Sequence, residues 1–484
     1  MHSLATLGAA VEVVALALVP VVLLQRKEPA STVAWILALV FLPGAGAVLF
    51  LMFGRDRVRI PLRGKESADR ALAEKNSPAS LRHPHPPPPL LQPDEDGEGP
   101  VLRDLFHVSA ALGRAVATHG NKVDLLVDGE ATYAALEAAI EAAEHHVIAE
   151  YYLLRHDATA AWFRDLLARA ARRGVRVKLL LDGYGSFWIS RRWLRPLREA
   201  GAEVVFFLPA RLILFQPMNL RNHRKIVVVD GKVAFTGGIN IGDEYRGRAH
   251  PWRDAHLRIE GQAVLPLLNV VAQDWYFASR RHIADADIDR ARESIPPAGS
   301  ASVAIVRSGP DIQGPERETI HRVLFSAITS ARESVFITTP YFIPDRSILV
   351  ALQTAALRGI DVRILFPSRS NHPFVFQAGR SFYEELLAAG VAIYEYGPGM
   401  IHAKTMVVDG TAALVGSANM DIRSFRLNFE VHAVIHDPAV AERLARCFHD
   451  DLAASKRVDP WAFRARPLGW KVIEAAARLL SPLM

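Results

Sequence analysis

Two stretches of the chain are spelled almost alike: HRKIVVVDGKVAFTGGIN from His223 to Asn240, and HAKTMVVDGTAALVGSAN from His402 to Asn419, 179 residues later. Each sets a histidine two residues before a lysine. On an extended strand the imidazole and the ammonium then project from one face, about 6–7 Å apart along the chain. One such pair describes many protein surfaces. Two pairs in equivalent places of a duplicated unit, facing one cleft, would supply two imidazoles, two ammonium groups and the side-chain amides of Asn240 and Asn419. That set suits a phosphodiester. Lys225, Lys404 and the amides can take up the charge that grows on the equatorial oxygens of the transition state, without a metal. One histidine can attack phosphorus while the other gives a proton to the departing alkoxide, then takes one from the incoming alcohol.

The rest of the motif has structural readings as well. Asp230 and Asp409 each precede a glycine, VVVDGKVAF and MVVDGTAAL, so each either suits a β-hairpin turn with positive φ or joins the site. Gly237, Gly238 and Gly416 let the backbone approach something closely, with Ser417 standing where the first copy has Gly238.

The elements that must position these residues also come in duplicate. YAALEAAIEAAEHHVIAEYYLL from Tyr133 reads as a helix running into a strand, and ETIHRVLFSAITSARESVFITTPYFI from Glu318 repeats it. ARRGVRVKLLLDG matches ALRGIDVRILFPS, each a helix end, a glycine stop and a buried strand; LREAGAEVVFFLP and LLAAGVAIYEYGP follow in the same order. An offset of 179 residues is far too long for a solenoid repeat and suits a duplicated domain. The predicted fold class is therefore α/β: two copies, 101–297 and 298–484, each a mixed sheet flanked by helices, packed about a pseudo-twofold axis.

Ahead of them, Leu4–Leu24 and Thr32–Phe53 are apolar runs long enough to cross a hydrocarbon core, so residues 1–65 read as a membrane hairpin. Glu12 is the costly residue there, and Pro43, Gly44 and Gly46 predict a kink or close packing in the second run, with a re-entrant hairpin as the other arrangement. Arg55, Arg57, Arg59, Arg63 and Lys65 follow it, which by the positive-inside tendency puts the large body in the cytoplasm. Residues 66–100, Pro-rich and then acidic, read as a tether, with His83 and His85 solvated rather than metal-binding.

Composition narrows the function classes. With 50% hydrophobic and 22% charged residues in 484, the chain can bury large cores, and its one cysteine, Cys447, excludes an internal disulfide framework. Of the net charge of +6, half lies in the first 66 residues, which leaves a weak footprint for non-specific nucleic-acid binding.

The pattern H-x-K-x4-D-x6-G-[GS]-x-N, met twice in full, resembles the phospholipase D superfamily. The long block RSFYEELLAAGVAIYEYGPGMIHAKTMVVDGTAALVGSANMDIRSFRLNFEV and the N-terminal PASTVAWILALVFLPGAG are similar to the two-domain, membrane-anchored bacterial cardiolipin synthases. The resemblance covers nearly the whole chain outside the tether. It implies transfer of a phosphatidyl group between two phosphatidylglycerol molecules through a phosphohistidine, giving cardiolipin and glycerol, with no cofactor and no metal. It further implies His223 as nucleophile, His402 as acid and base, and a carboxylate about thirty residues after each histidine to hold its second ring nitrogen, here Asp254 and Glu430. The implied partners are phosphatidylglycerol and membrane lipids, and the implied location is multi-pass in the bacterial cytoplasmic membrane. A hydrolase, a transferase using another acceptor such as phosphatidylethanolamine, and a catalytically dead membrane scaffold are the alternatives. SFWISRRWL from Ser186 and ARLILFQPM from Ala210 either pack in a core or dip into a bilayer. The terminal WKVIEAAARLLSPLM either covers the second domain or lies on the membrane interface.

Overall fold

Runs such as KIVVV and HVIAEY carry too little polar alternation for a half-exposed strand and are stable only with both faces covered. They fold so: every residue of Lys225–Val229 and of His146–Tyr151 is buried. The computed structural model describes residues 2–25, 29–54, 100–113, 115–209, 220–247, 251–283, 295–312 and 314–479. Almost all of the tether and the stretch from Ala210 to Met218 lie outside the described residues.

The first lobe contributes β1 (Thr118–Val127), β2 (His146–Tyr151), β3 (Arg176–Asp182), β4 (Glu203–Phe207), β5 (Arg221–Asn222), β6 (Lys225–Val229), β7 (Val233–Gly237) and β8 (Ala255–Glu260). The second contributes β9 (Ala301–Ser308), β10 (Ser334–Thr338), β11 (Phe342–Ile343), β12 (Asp361–Pro367), β13 (Ala392–Tyr396), β14 (Thr405–Val408), β15 (Ala412–Gly416), β16 (Met420–Asp421), β17 (Asn428–His436) and β18 (Ser455–Arg457). Outward from the antiparallel β1–β9 contact the two halves share one order, β1-β8-β7-β6-β2-β3-β4 against β9-β17-β15-β14-β10-β12-β13. The three outer strands of each half are parallel and the others antiparallel, so the sheet is mixed as expected. Parallel neighbours need helical crossovers. The helices Ala158–Arg172 and Arg346–Leu357 provide the equivalent pair, each capped by an aspartate, Asp157 on the Ala160 amide and Asp345 on that of Ile348.

The lobes share side chains. Helix Pro100–Gly113 comes before the first lobe in sequence, yet Val101, Leu102, Leu105 and Phe106 are buried among Ile320, Val323 and Leu324 of the second. A second core joins Leu257, Leu267 and Trp275 of the first lobe to Val407, Val431 and Leu444 of the other.

The two Asp-Gly hairpins form as read. Asp230 and Asp409 sit in their turns at φ 52° and 51°. Each carboxylate accepts backbone N–H bonds from the loop that leads into the neighbouring strand: Glu144, His145 and His146 for Asp230, Arg332, Glu333 and Ser334 for Asp409. The length of β6, roughly 16 Å at 3.3 Å per residue, separates Asp230 from Lys225. Both aspartates, candidates for the site by sequence, here brace the far ends of the hairpins.

The N-terminal segment also departs from expectation. The second apolar run is two helices, α2 (Pro29–Phe41) and α3 (Pro43–Phe53), packed beside α1 (His2–Leu24). A continuous helix would hold Trp35 and Phe50 roughly 22 Å apart. Instead their rings meet edge-to-face at 5.4 Å, so the chain doubles back at Leu42–Pro43. Gly46 permits the reversal, since a Cβ there would lie 2.2 Å from the Ala38 carbonyl oxygen. Among the described residues no helix is long and apolar enough to cross a membrane. Glu12 is exposed.

Candidate active site

Both histidines lie just ahead of their strands and are fastened to the opposite lobe. The His223 amide donates to the Phe429 carbonyl at 2.9 Å, and the His402 amide to that of Arg253 at 2.6 Å. The side chains cross in the same sense. His223 Nδ1 lies 3.1 Å from both carboxylate oxygens of Glu430, and His402 Nδ1 lies 2.8 Å from Asp254 Oδ2. Each carboxylate about thirty residues past a histidine thus serves the other lobe's histidine. Arg253 reinforces the junction, pairing with Asp128 in its own lobe and Asp451 in the other at 2.9 and 2.8 Å.

Four charged or chargeable groups are packed where water is scarce, and their proton affinities record it. Burial lowers His223 to about 4 against the pull of Glu430, with Lys225 and Lys404 pushing the same way as burial. Burial, then Lys404, Lys225 and His223, hold His402 well below the usual imidazole range. Burial likewise brings Lys225 to about 7 and Lys404 to about 8. Burial would raise Glu430, but His223, Lys225 and the Ser417 hydroxyl outweigh it and hold the carboxyl at about 2. His223 is thus a neutral imidazole whose Nδ1–H donates to an ionised carboxylate, with Nε2 left for chemistry. That each motif's cations act on the other motif's histidine puts both pairs in one space.

Comparison with known proteins agrees. The family model "Cardiolipin synthase, PLD-like domain" matches residues 136–249 and 324–452, and a phospholipase D-nuclease N-terminal model matches 13–55. The cardiolipin synthase of Geobacillus kaustophilus (strain HTA426) is 40% identical over 468 residues, 96% of this chain and 91% of that protein. The chain belongs to the cardiolipin synthase family. Cardiolipin synthase 2 of Bacillus anthracis is 38% identical over 474 residues, 96% of this chain and 89% of that one. The crystal structure of phosphatidylserine synthase from Haemophilus influenzae Rd KW20 superposes with a TM-score of 0.58 at 15% identity, covering 79% of this chain and all of that one, a likeness of fold.

In this member of the cardiolipin synthase family the small residues of the motif make room for the carboxylates and for what lies behind them. A Cβ on Gly238 would fall 2.1 Å from Asp254 Oδ1, whereas the equivalent Ser417 donates its hydroxyl to Glu430 Oε2. Gly416 leaves space for the ring of His432, which would otherwise meet a Cβ at 2.3 Å. Asn240 donates to the Tyr245 hydroxyl at 3.1 Å, and that hydroxyl lies 3.2 Å from His402 Nδ1. The side-chain oxygens of Asn240 and Asn419 are buried and have no partner among the described residues.

Several residues of the site escaped the motif. His256 and His432 lie two residues past Asp254 and Glu430, both buried. The signal was present as an acidic-x-His triplet repeated in both lobes. Tyr152, edge-on to His223 with ring centres 4.9 Å apart, and Tyr245 carry no such signature. Between His223 and Lys225, Arg224 is fully buried and donates to Asp274, to the Glu430 carbonyl at 3.2 Å and to the Ser308 carbonyl at 3.1 Å. Burial, with Asp274 beside it, raises Glu150 well above the usual carboxyl range, and Asn222 donates to it. This network backs His223 alone, since Ala403 stands where Arg224 would be in the second lobe.

Proposed function

We propose that the chain is a cardiolipin synthase, a phosphatidyltransferase that joins two phosphatidylglycerol molecules. His223 Nε2 gives its electron pair to the phosphorus of the first lipid. The phosphorus–oxygen bond to glycerol breaks, and the leaving oxygen takes a proton from His402 Nε2, which receives it from the Lys404 ammonium 3.1 Å away. The terminal hydroxyl of the second lipid then attacks phosphorus, the phosphorus–nitrogen bond breaks, and His402 takes the proton back. One phosphodiester replaces another, so no nucleotide energy source is needed. Lys225, Lys404 and the amides of Asn240 and Asn419 stabilise the equatorial oxygens. The observation that carries this reading is the crossed pairing of His223 with Glu430 and His402 with Asp254, which supports two imidazoles facing one phosphorus.

An asymmetry supports the order of roles. Lys404 Nζ lies 2.8 Å from His402 Nδ1 and 3.1 Å from its Nε2, so an ammonium stands within proton-transfer reach of the imidazole assigned to acid and base, whereas among the described residues no polar group engages Nε2 of His223.

We also place the enzyme at a membrane, its body on the cytoplasmic side. Val13, Leu16, Leu23, Leu37, Phe41 and Leu49 point outward from the N-terminal helices, and helices apolar on their outer faces are stable in an apolar medium. The doubled-back second run favours the re-entrant arrangement. The C-terminal helix Leu468–Leu479 is built inside out: Glu474 is buried on Arg380 and Arg466, while Leu468, Val472, Ile473 and Leu479 face outward beside the half-exposed Trp470. Such a helix fits the interface of a bilayer.

Purified full-length protein with phosphatidylglycerol in mixed micelles tests the activity. Cardiolipin and glycerol in equal amounts are expected. Phosphatidic acid as the main product would make it a hydrolase, and no turnover would leave a scaffold.

A further inference from the structure

Transfer between lipids puts two lipid phosphorus centres in the cleft at once. One is joined to His223, and the other belongs to the acceptor whose hydroxyl must reach the first. The pairs His223–Lys225 and His402–Lys404 account for one of them.

A second cationic place lies beside His223. Arg221, on β5, is two residues upstream of His223 and is 7% exposed. Its guanidinium lies over the Tyr184 ring at 4.3 Å, and Nη1 donates to the Leu220 carbonyl at 2.6 Å. Nε is buried and has no partner among the described residues. A buried guanidinium with an unmatched N–H is costly unless something anionic completes it. The nearby Asp182 is already committed: Oδ1 accepts from the Tyr184 and Gly185 amides, and Oδ2 from that of Asn222. Burial lowers the proton affinity of Arg221, Asp182 opposes that, and Arg423, on helix Ile422–Arg426, lowers it further. Arg221 and Arg423 also both act on Tyr152, whose ring meets His223. Arg423 also faces Asp421, at the start of its own helix, so the two guanidiniums and the two carboxylates Asp182 and Asp421 gather beside Tyr152, and it is the buried, unmatched Nε of Arg221 that an oxyanion would complete.

We propose that Arg221 and Arg423 form a second phosphate site, which holds the phosphodiester of the acceptor lipid while its glycerol hydroxyl reaches the phosphohistidine on His223. This rests on the phosphatidyl-transfer reading above and adds to it a reason for choosing an anionic lipid over water or a neutral alcohol. The exposed rings of Tyr184, Phe187 and Trp188 follow β3 on the Arg221 side, where acyl chains of that acceptor would leave the cleft.

The test compares two acceptors in the full-length protein. Cardiolipin formation uses an acceptor with a phosphate; exchange of radiolabelled glycerol into phosphatidylglycerol uses the same donor and an acceptor without one. Arg221→Gln should reduce cardiolipin formation about tenfold more than it reduces glycerol exchange, seen in the KM for acceptor phosphatidylglycerol more than in kcat. Arg221→Lys should recover part of that difference. Arg423→Gln, at a partly exposed position that folding tolerates more readily, should shift the ratio in the same direction. Equal loss of both reactions in all three variants, or no change in their ratio, overturns the acceptor site while leaving phosphatidyl transfer intact. A wild-type protein that performs neither reaction overturns the transfer reading itself.

Discussion

At the scale of single residues, the site is poised by charges that are uncomfortable when it is empty. Lys225 at about 7 and Lys404 at about 8 are lysines that burial, and for Lys225 the other ammonium, have brought within reach of physiological pH. An anion between them favours the charged form, so their proton affinities must rise when a phosphodiester binds. At pH 7.5 the two together lack about one proton in the empty site, and binding should take it up. Calorimetry with a phosphonate analogue of phosphatidylglycerol, in buffers of different ionisation enthalpy, measures that uptake. It should fade toward pH 6, where both lysines are already charged, apart from any share taken by His402. Heats independent of buffer at pH 7.5 would mean that the lysines are charged beforehand and that the empty cleft is more polar than it looks. The motif residues were legible one by one because H-x-K is chemistry written in sequence. Asp230 and Asp409 were not, since an aspartate before a glycine is spelled the same whether it braces a turn or faces a substrate.

Elements were read well where periodicity governs them, and less well where an apolar run has more than one way to be buried. The helix-to-strand repeats, the buried parallel strands and both hairpins follow from local pattern, and they lie where the pattern puts them. Thr32–Phe53 has the length of a span, but Pro43 and Gly46 let it fold back, and length alone does not register a reversal. In SFWISRRWL, Ile189 and Leu194 pack in the core while Phe187 and Trp188 are exposed. The terminal helix is the sharper case. Its pattern is amphipathic, which ordinarily places the large apolar residues inward, yet the buried residues are Glu474 and the small Ala477. Two substitutions separate its faces. Glu474→Ala leaves Arg380 and Arg466 without their shared carboxylate and should destabilise the protein by about 3–5 kcal/mol, read as a fall in Tm. Ile473→Ser with Leu479→Ser removes only outward apolar surface. It should leave Tm within a degree or two while weakening flotation with phosphatidylglycerol vesicles. A double serine variant that loses stability instead would mean the outward face is covered by protein.

The arrangement of the whole molecule is what the sequence leaves open, because it depends on which copy of each repeated residue meets which. Asp254 and Glu430 stand at similar distances after their histidines, and spacing alone suggests nothing about exchange between lobes. The shared sheet, with β1 against β9 and β5 against β17, brings Glu430 to His223 and Asp254 to His402. Each carboxylate variant should therefore impair the step that belongs to the opposite lobe's histidine. A lipid phosphodiester with a nitrophenolate leaving group separates the steps, because its departure needs no general acid. With that donor, Glu430→Gln should suppress the nitrophenolate burst by about a hundredfold, since His223 loses the acceptor that fixes its tautomer. Asp254→Asn should keep the burst and slow the turnover that follows, so that a phosphohistidine accumulates and maps to residue 223. A burst lost with Asp254→Asn and kept with Glu430→Gln would give the nucleophile's role to His402. The crossed contacts would stand, and the chemistry would run through them in the opposite sense.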